Sequence, residues 1–241
     1  VLINNFNFQS IPKYFNNGVI NKKEFLLKNV NSKAKNSENF KNDISNTLLP
    51  TVQSTYTFPL VKETEKFNNT LTPKLSFKLS PDFTRDIRNR NEGRIDYFNI
   101  YDLDRLGIEE ANEGGISATY GYEYTKLDKS IFAQRMKFGF ANNLRLSENK
   151  DLPSHTNLGD KVSDFVGLFE YSSKDNFKLD YNFSLKDNLV EKNYELFGFE
   201  FYLKNLTSTF EYRNENNSAL KDSYLQNETR FNFDNNNSLI F

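Results

Sequence analysis

The chain has 241 residues, of which 31 are basic and 32 acidic, for a net charge of −1. The charges are interspersed without a basic stripe, which argues against nucleic acid as a partner. The sequence has no cysteine, so it holds no disulfide or thiolate metal site, and no apolar run of the ~18 residues that a membrane-spanning helix needs.

Residues 1–48 are the least regular. Ile3–Gln9 and Glu24–Asn31 read as strands, and 32–46 as a polar loop rich in Asn, Ser and Lys. The pattern sharpens at Leu49. Val52, Ser54, Tyr56, Phe58 and Leu60 alternate with Thr51, Gln53, Thr55 and Thr57; Leu71, Pro73, Leu75, Phe77 and Leu79 then alternate with Thr72, Lys74, Ser76 and Lys78. A period of two predicts strands with one apolar and one polar face. Pro59 and Pro73 cannot donate to a ladder and mark strand ends or a bulge.

A long charged loop fills 82–116. In the next strand Ala118, Tyr120, Tyr122 and Tyr124 oppose Thr119, Gly121, Glu123 and Thr125, and Leu127–Asp128 reads as a tight reversal. The returning strand sets Phe132, Met136, Phe138 and Phe140 against Arg135, Lys137 and Gly139. After a second polar loop at 142–161, Phe165, Phe169 and Tyr171 alternate with Val166, Leu168 and Glu170. Phe177, Leu179, Tyr181, Phe183 and Leu185 then oppose Lys178, Asp180, Asn182 and Ser184. Further strands are predicted over 194–203, 205–213 and 225–233, with a terminal apolar stub that begins one more. No segment holds a helical apolar stripe for three turns.

Short joints at 127–128, 172–176 and about 204–205 alternate with longer connections at 81–116, 142–161 and about 186–191 or 214–222. That asymmetry, with strands of about nine to eleven residues, predicts an up-and-down outer-membrane barrel. A soluble β-sandwich predicts evenly short turns instead. A sheet in lipid must close, because open edges leave backbone groups unsatisfied. The fold expected is therefore all-β: an antiparallel up-and-down transmembrane β-barrel, present as a partial arc of a larger one. Residues 1–48 are expected to form poorly patterned strands and a polar loop, 49–241 the barrel segment, and the whole is expected to be an internal fragment of a longer protein.

No catalytic, metal or cofactor set emerges. Ser154 and His155 are adjacent on a loop and lack the third group that would orient a nucleophile–base pair, so His155 is expected to be solvated. The acidic loop residues Asp96, Asp102, Asp104, Glu109, Glu110 and Glu113 lack EF-hand spacing and are likewise expected to be solvated. Gly114–Gly115 is a turn signal, without the strand–loop–helix context of a phosphate cradle. The polar faces bearing Arg135, Lys137, Lys178, Asp180 and Asn182 are expected to line the lumen. There they either contact a polar or anionic cargo or hydrate a wide interior.

The central stretch also carries a resemblance. Asn99-Ile-Tyr-Asp-Leu-Asp-Arg105, then Glu113-Gly-Gly115, then Tyr120-Gly-Tyr-Glu-Tyr124 resembles the barrel region of the LptD family of lipopolysaccharide-assembly proteins. Leu49-Pro50, Phe58-Pro59-Leu60, Leu71-Thr-Pro73 and Ser80-Pro81 are similar to the strands before that motif. Ser163-Asp164-Phe165-Val166-Gly167 is similar to the family's Ser-Asp-Tyr-Val-Gly strand start. The resemblance spans about 46–212. It departs at Glu109-Glu110, where the family commonly has Asp-Arg, and at Ser117, where it often has Arg, so it does not carry over an ion pair at those positions.

The resemblance marks Asn99, Asp102, Asp104, Arg105, Gly114, Gly115, Ser163 and Asp164 as the family-motif positions. It implies a non-enzymatic translocon, without cofactors, in the outer membrane of a Gram-negative bacterium. Lipopolysaccharide would arrive over periplasmic Lpt bridge proteins through an amino-terminal domain not in this sequence. Its sugars would cross the lumen, its lipid would leave through a lateral opening among the outer-membrane lipids, and an LptE-like lipoprotein would plug the barrel. The alternative of the same architecture is a general diffusion channel or another transporter barrel.

Overall fold

The structure, a computed structural model, describes residues 1–33, 35, 44–90, 93–173, 176–217, 220–233 and 237–241. It is built of fourteen strands: β1 (Leu2–Gln9), β2 (Lys13–Tyr14), β3 (Ile20–Lys33), β4 (Ile44–Thr57), β5 (Leu60–Glu63), β6 (Phe67–Ser80), β7 (Gly115–Asp128), β8 (Ala133–Arg145), β9 (Phe165–Ser172), β10 (Phe177–Leu185), β11 (Lys192–Leu203), β12 (Leu206–Asn216), β13 (Lys221–Asn232) and β14 (Ser238–Ile240). They form one antiparallel sheet in the order β1-β3-β4-β6-β7-β8-β9-β10-β11-β12-β13-β14, with β2 beside β3 and β5 beside β6. Successive long strands pair with each other, which is up-and-down connectivity. The sheet does not close on itself, so the fold is an all-β arc.

Three strand-level expectations change. Pairing runs on where the polar loop 32–46 was expected: Ser32 stands opposite Ser45 and Lys33 opposite Ile44. Ladder hydrogen bonds come from the backbone, so polar side chains at a strand end do not stop it; residues 34 and 36–43 lie outside the described residues. The β7–β8 reversal is not at Leu127–Asp128 but over 129–132. There the Asp128 carboxylate accepts from the Ser130 backbone N–H at 2.9 Å and its hydroxyl at 2.6 Å, holding the turn one step later. Third, Met136 pairs with Lys126 and Gln134 with Leu127, which leaves Arg135 as the extra residue of a β-bulge. The strict alternation that put Arg135 on one face with Lys137 breaks there. Its guanidinium binds Asp128 Oδ2 through Nη2 at 2.9 Å.

Sheet register places the apolar residues in continuous rows. Leu71, Tyr124, Phe138, Phe169, Tyr181, Phe197, Tyr212 and Leu225 stand opposite one another in turn across eight strands. Rings along this face touch, for example Tyr122 with Phe140 at 5.8 Å and Phe140 with Phe165 at 5.3 Å. Each cross-strand apolar pair contributes about 0.2–1 kcal/mol. This face is the open one: Phe77, Leu79, Ile116, Tyr120 and Phe210 are all exposed.

The opposite, polar face is the buried one where the two long connections cover it, from β3 to β9; over β10 to β13 it stays more open, with Lys178 and Thr209 exposed. Thr51, Gln53, Ser76, Lys78, Ser117, Thr119 and Asn143 are sealed there beneath the connections 81–114 and 146–164. Those two connections, expected to be polar and solvated, instead supply most of the apolar core. Ile87, Ile95, Tyr97, Ile100, Leu106, Ile108 and Ala111 come from the first and Leu152 and Leu158 from the second; Ala141, Val166 and Leu168 come from β8 and β9. The irregular β9 pattern has the same cause, because Val166 and Leu168 on the polar side are needed under the loops. Antiparallel alternation puts the β6–β7, β8–β9, β10–β11 and β12–β13 connections at one end of the sheet and the turns at 129–132 and 204–205 at the other.

Candidate functional site

The site is the polar sheet face with the segment 81–114 laid across it. Its fixed point is Glu113. Glu113 accepts from Arg105 Nε and Nη2, both at 2.6 Å, from Arg145 Nη1 at 2.6 Å and from Lys78 Nζ at 3.0 Å. All four side chains are buried. Arg105 spends its remaining donors on the Ile100 carbonyl, Thr119 Oγ1 and Ser117 Oγ. Burial alone would push the Glu113 carboxyl up, but the positive charges of Arg105, Lys78 and Arg145 outweigh it and hold the group well below the usual carboxylate range.

The neighbouring motif residues each bind a different part of the sheet or the turn. Asp104 lies 2.6 Å from Lys28 Nζ of β3, and the same ammonium donates to the Ile108 and Ala111 carbonyls at 2.8 and 3.0 Å. Asn99 Oδ1 accepts from the Asp96 N–H while its amide donates to the Arg94 carbonyl, which closes the turn that starts the motif. Asp102 bonds through its backbone N–H to the Asn99 carbonyl; burial and the nearby Glu24 raise its carboxyl. Gln53 of β4 donates to the Tyr101 carbonyl at 2.7 Å. Gly115 sits at φ +95°, open to glycine, while a side chain on Gly114 would strike the Pro81 and Phe83 carbonyls at 2.7 Å.

Two strand glycines explain how the segment lies so close. A Cβ on Gly139 would fall 2.1 Å from the Tyr97 ring, and one on Gly121 would fall 2.6 Å from the Tyr101 hydroxyl. Gly121 stands opposite Ala141, and Glu123 opposite Gly139. Small residues on adjacent strands thus make the floor on which two tyrosines rest. Tyr97 Oη also donates to Glu123 at 3.2 Å.

The far end reaches β12. Arg94 Nη1 lies 3.0 Å from Glu215 Oε1, and its guanidinium stacks 3.9 Å over the Tyr194 ring of β11. From Lys28 on β3 to Glu215 on β12, the segment crosses most of the sheet.

Ser163 and Asp164 tie the second loop down. The Asn143 N–H donates to Ser163 Oγ at 3.0 Å, and the Asn142 amide donates to the Ser163 and Asp164 carbonyls at 2.7 and 3.2 Å. The Asp164 carboxylate accepts from Asn157 at 2.6 Å, Ser184 of β10 at 2.7 Å and Asn193 of β11 at 2.5 Å.

Several expectations from sequence are corrected. The acidic loop is only partly solvated: Asp102 and Glu109 are exposed as expected, but Asp104 and Glu113 are bound as above, and Glu110 lies 2.6 Å from Arg90 Nη2. These carboxylates are committed to cations of the chain. Among the described residues no group of three or more candidate ligands stands together to hold a metal. His155, expected to be solvated, is buried. Of the polar-face candidates, Lys137 lies 3.5 Å from Glu123, and Lys178, largely exposed, lies 3.8 Å from Glu200. Asp180 packs against Gly198. Arg135, Lys178, Asp180 and Asn182 line one cavity of about 560 Å³ with Phe98 at its edge; Lys137 is not among its walls.

Lys28, Lys78, Arg145, Tyr97 and Tyr101 were not legible as site residues. Lys28 and Lys78 read as ordinary strand positions and Arg145 as part of the polar loop 142–161. Gly121 and Gly139 were the available signal, since glycine inside a strand marks close approach of other groups.

With this geometry in place, the family model for LptD, LPS transport system D, matches residues 20–239. The chain belongs to the LptD family. A search of curated proteins returns no match. The match covers the motif segment and β3 through β13 and ends within β14. Membership gives the chain a role in lipopolysaccharide transport and assembly at the outer membrane. Within this LptD-family arc, the motif residues bind each other and the sheet, and the Glu113 cluster joins β6, β8 and the segment into one unit.

Proposed function

We propose that this LptD-family arc forms part of the wall and the inner lining of a translocon that inserts lipopolysaccharide into the outer leaflet. The observation that carries the reading is the inversion of the sheet: its aromatic rows face outward and its polar face is covered by the motif segment. An outward apolar face is what lipid requires, and an inward polar face is what a saccharide can cross. The long-loop end then faces the cell exterior, where barrel loops are long.

On this reading the saccharide moves along the polar face past Lys137, Lys178, Asp180 and Asn182, while the lipid leaves through a lateral opening elsewhere in the closed barrel. An LptE-like lipoprotein occupies the remaining lumen, and periplasmic Lpt bridge proteins deliver the cargo. A general diffusion channel fits less well, because a segment anchored from β3 to β12 lies across the polar face.

Depletion of the protein, followed by surface labelling of lipopolysaccharide, tests this. A fall in surface lipopolysaccharide with accumulation at the inner membrane supports it. Unchanged surface lipopolysaccharide with reduced uptake of small solutes replaces it with the channel.

A further inference from the structure

A second polar site lies at the long-loop end, apart from the Glu113 cluster. Arg94, His155, Arg213, Glu215 and Leu220 surround a cavity of about 280 Å³, with Gly93 on its wall. Three chain segments meet there: the motif segment, the loop before β9, and β12 with its turn.

The charge is unbalanced. Arg94 and Arg213 share a single carboxylate oxygen, Glu215 Oε1. Both guanidiniums lie over the Tyr194 ring, at 3.9 and 6.0 Å from its centroid, which holds them in place beside the cavity. Two further polar atoms on the cavity residues, Arg94 Nε and His155 Nε2, are buried without a hydrogen-bond partner. His155 is only 8% exposed, so an unpartnered ring nitrogen there is costly unless something fills the space. Burial holds its imidazole below its ordinary value, with Glu215 opposing.

We infer that this cavity binds a phosphate group. Two forked guanidiniums with one carboxylate leave a net positive charge, and Arg presents donors in the geometry that phosphate oxygens accept. Arg94 Nε and His155 Nε2 supply the two donors now without partners, with the His155 proton on Nε2 in the bound form. At about 30 Å³ per water, the space is several times that of one water and holds a phosphate together with part of the group that carries it. Glu215 acts as the positioning residue that keeps the two arginines together when the site is empty. The phosphate belongs either to free inorganic phosphate or to a phosphorylated saccharide of the cargo; the second source rests on the translocon reading, the site itself does not.

The test is a titration of the full chain, purified from membranes in detergent, with inorganic phosphate. It is followed by calorimetry and by the 15N resonances of His155, the only histidine in the sequence. A saturable shift of His155 toward its protonated form is expected. R94Q and R213Q should each weaken binding by about tenfold or more, as loss of a charge-assisted bond implies, while E215Q should tighten it. R213K, which keeps the charge, serves if R213Q fails to fold as judged by heat-modifiable gel mobility. A shift that does not saturate, or equal affinity in folded R94Q and R213K, overturns the site. A phosphorylated saccharide that outbinds inorganic phosphate assigns the source to the cargo, and equal binding assigns it to free phosphate. A dephosphorylated saccharide that binds as well as the phosphorylated one overturns the inference. Binding of inorganic phosphate is read without any assembly assay, so it stands or falls apart from the translocon.

Discussion

Arg105 and Glu113, eight residues apart on one connection, meet in a two-pronged ion pair with both contacts at 2.6 Å and both side chains sealed from water. The pair makes a loop into a core element. It closes 105–113 on itself, and Arg145 and Lys78 then fasten the closed unit to β8 and β6.

Glu113→Gln leaves three buried cations without their counter-charge. Breaking a buried pair by removing one partner costs about 3–5 kcal/mol, so the urea midpoint of the folded chain should fall sharply. Because the folded Glu113 is held below its ordinary 4.5, its stabilisation is complete above that value and is lost as pH falls through the depressed folded one. Wild-type stability attributable to this group should therefore be flat from neutral pH down to about 5 and decline only in stronger acid. In the glutamine variant that acid-limb contribution should be absent.

Gly139→Ala should act through Tyr97. The added methyl falls inside the tyrosine ring, so the ring must move and the segment above it must lift. Protease cleavage within 81–114 should rise many-fold. In a double-mutant cycle with Tyr97→Ala the two effects should be strongly non-additive, because both remove the same contact; additive effects would mean that the ring does not rest on Gly139.

His155 gives a second pH response of known sign. Its folded value lies below the ordinary 6.5, so the stability it contributes is present above about 6.5 and lost as pH falls through the lowered value. Melting temperature should drop between pH 7.5 and 5.5 in the wild type and change less in His155→Gln.

Phe169→Arg and Lys137→Ala contrast the two faces. Phe169 belongs to the outward row, where a buried charge facing lipid costs about 2–4 kcal/mol at mid-bilayer. Lys137 is on the polar face beside Glu123, a part-exposed pair of modest worth. Heat-modifiable mobility in outer-membrane fractions should be lost in the first variant and kept in the second. Equal tolerance of both would contradict the assigned faces.

The strands were legible because period-two alternation needs no partner to be read. Residues such as Tyr120, Tyr122 and Tyr124 carry their face in their own spacing, and so does the Lys178, Asp180, Asn182 series. The loop core was not legible, because Ile87, Ile95, Ile100, Leu106 and Ile108 recur at no fixed interval and sit among charges. The β-bulge at Arg135 was not legible for a related reason: one extra residue in a ladder shifts parity, and nothing local in Gln134-Arg135-Met136 announces it.

By itself, then, the sequence determined an all-β, up-and-down sheet with one aromatic and one polar face, and the order of motifs that marks the LptD family. The physical reason is that alternation is a local property of the chain. Only the tertiary structure decided that the polar face is buried from β3 to β9, that Glu113 is the centre where three cations converge, and that Gly121 and Gly139 make room for Tyr101 and Tyr97. Those facts depend on which distant residues meet, as Lys28 does with Asp104 and Arg94 with Glu215, and such meetings are set by sheet register and loop packing rather than by spacing along the chain.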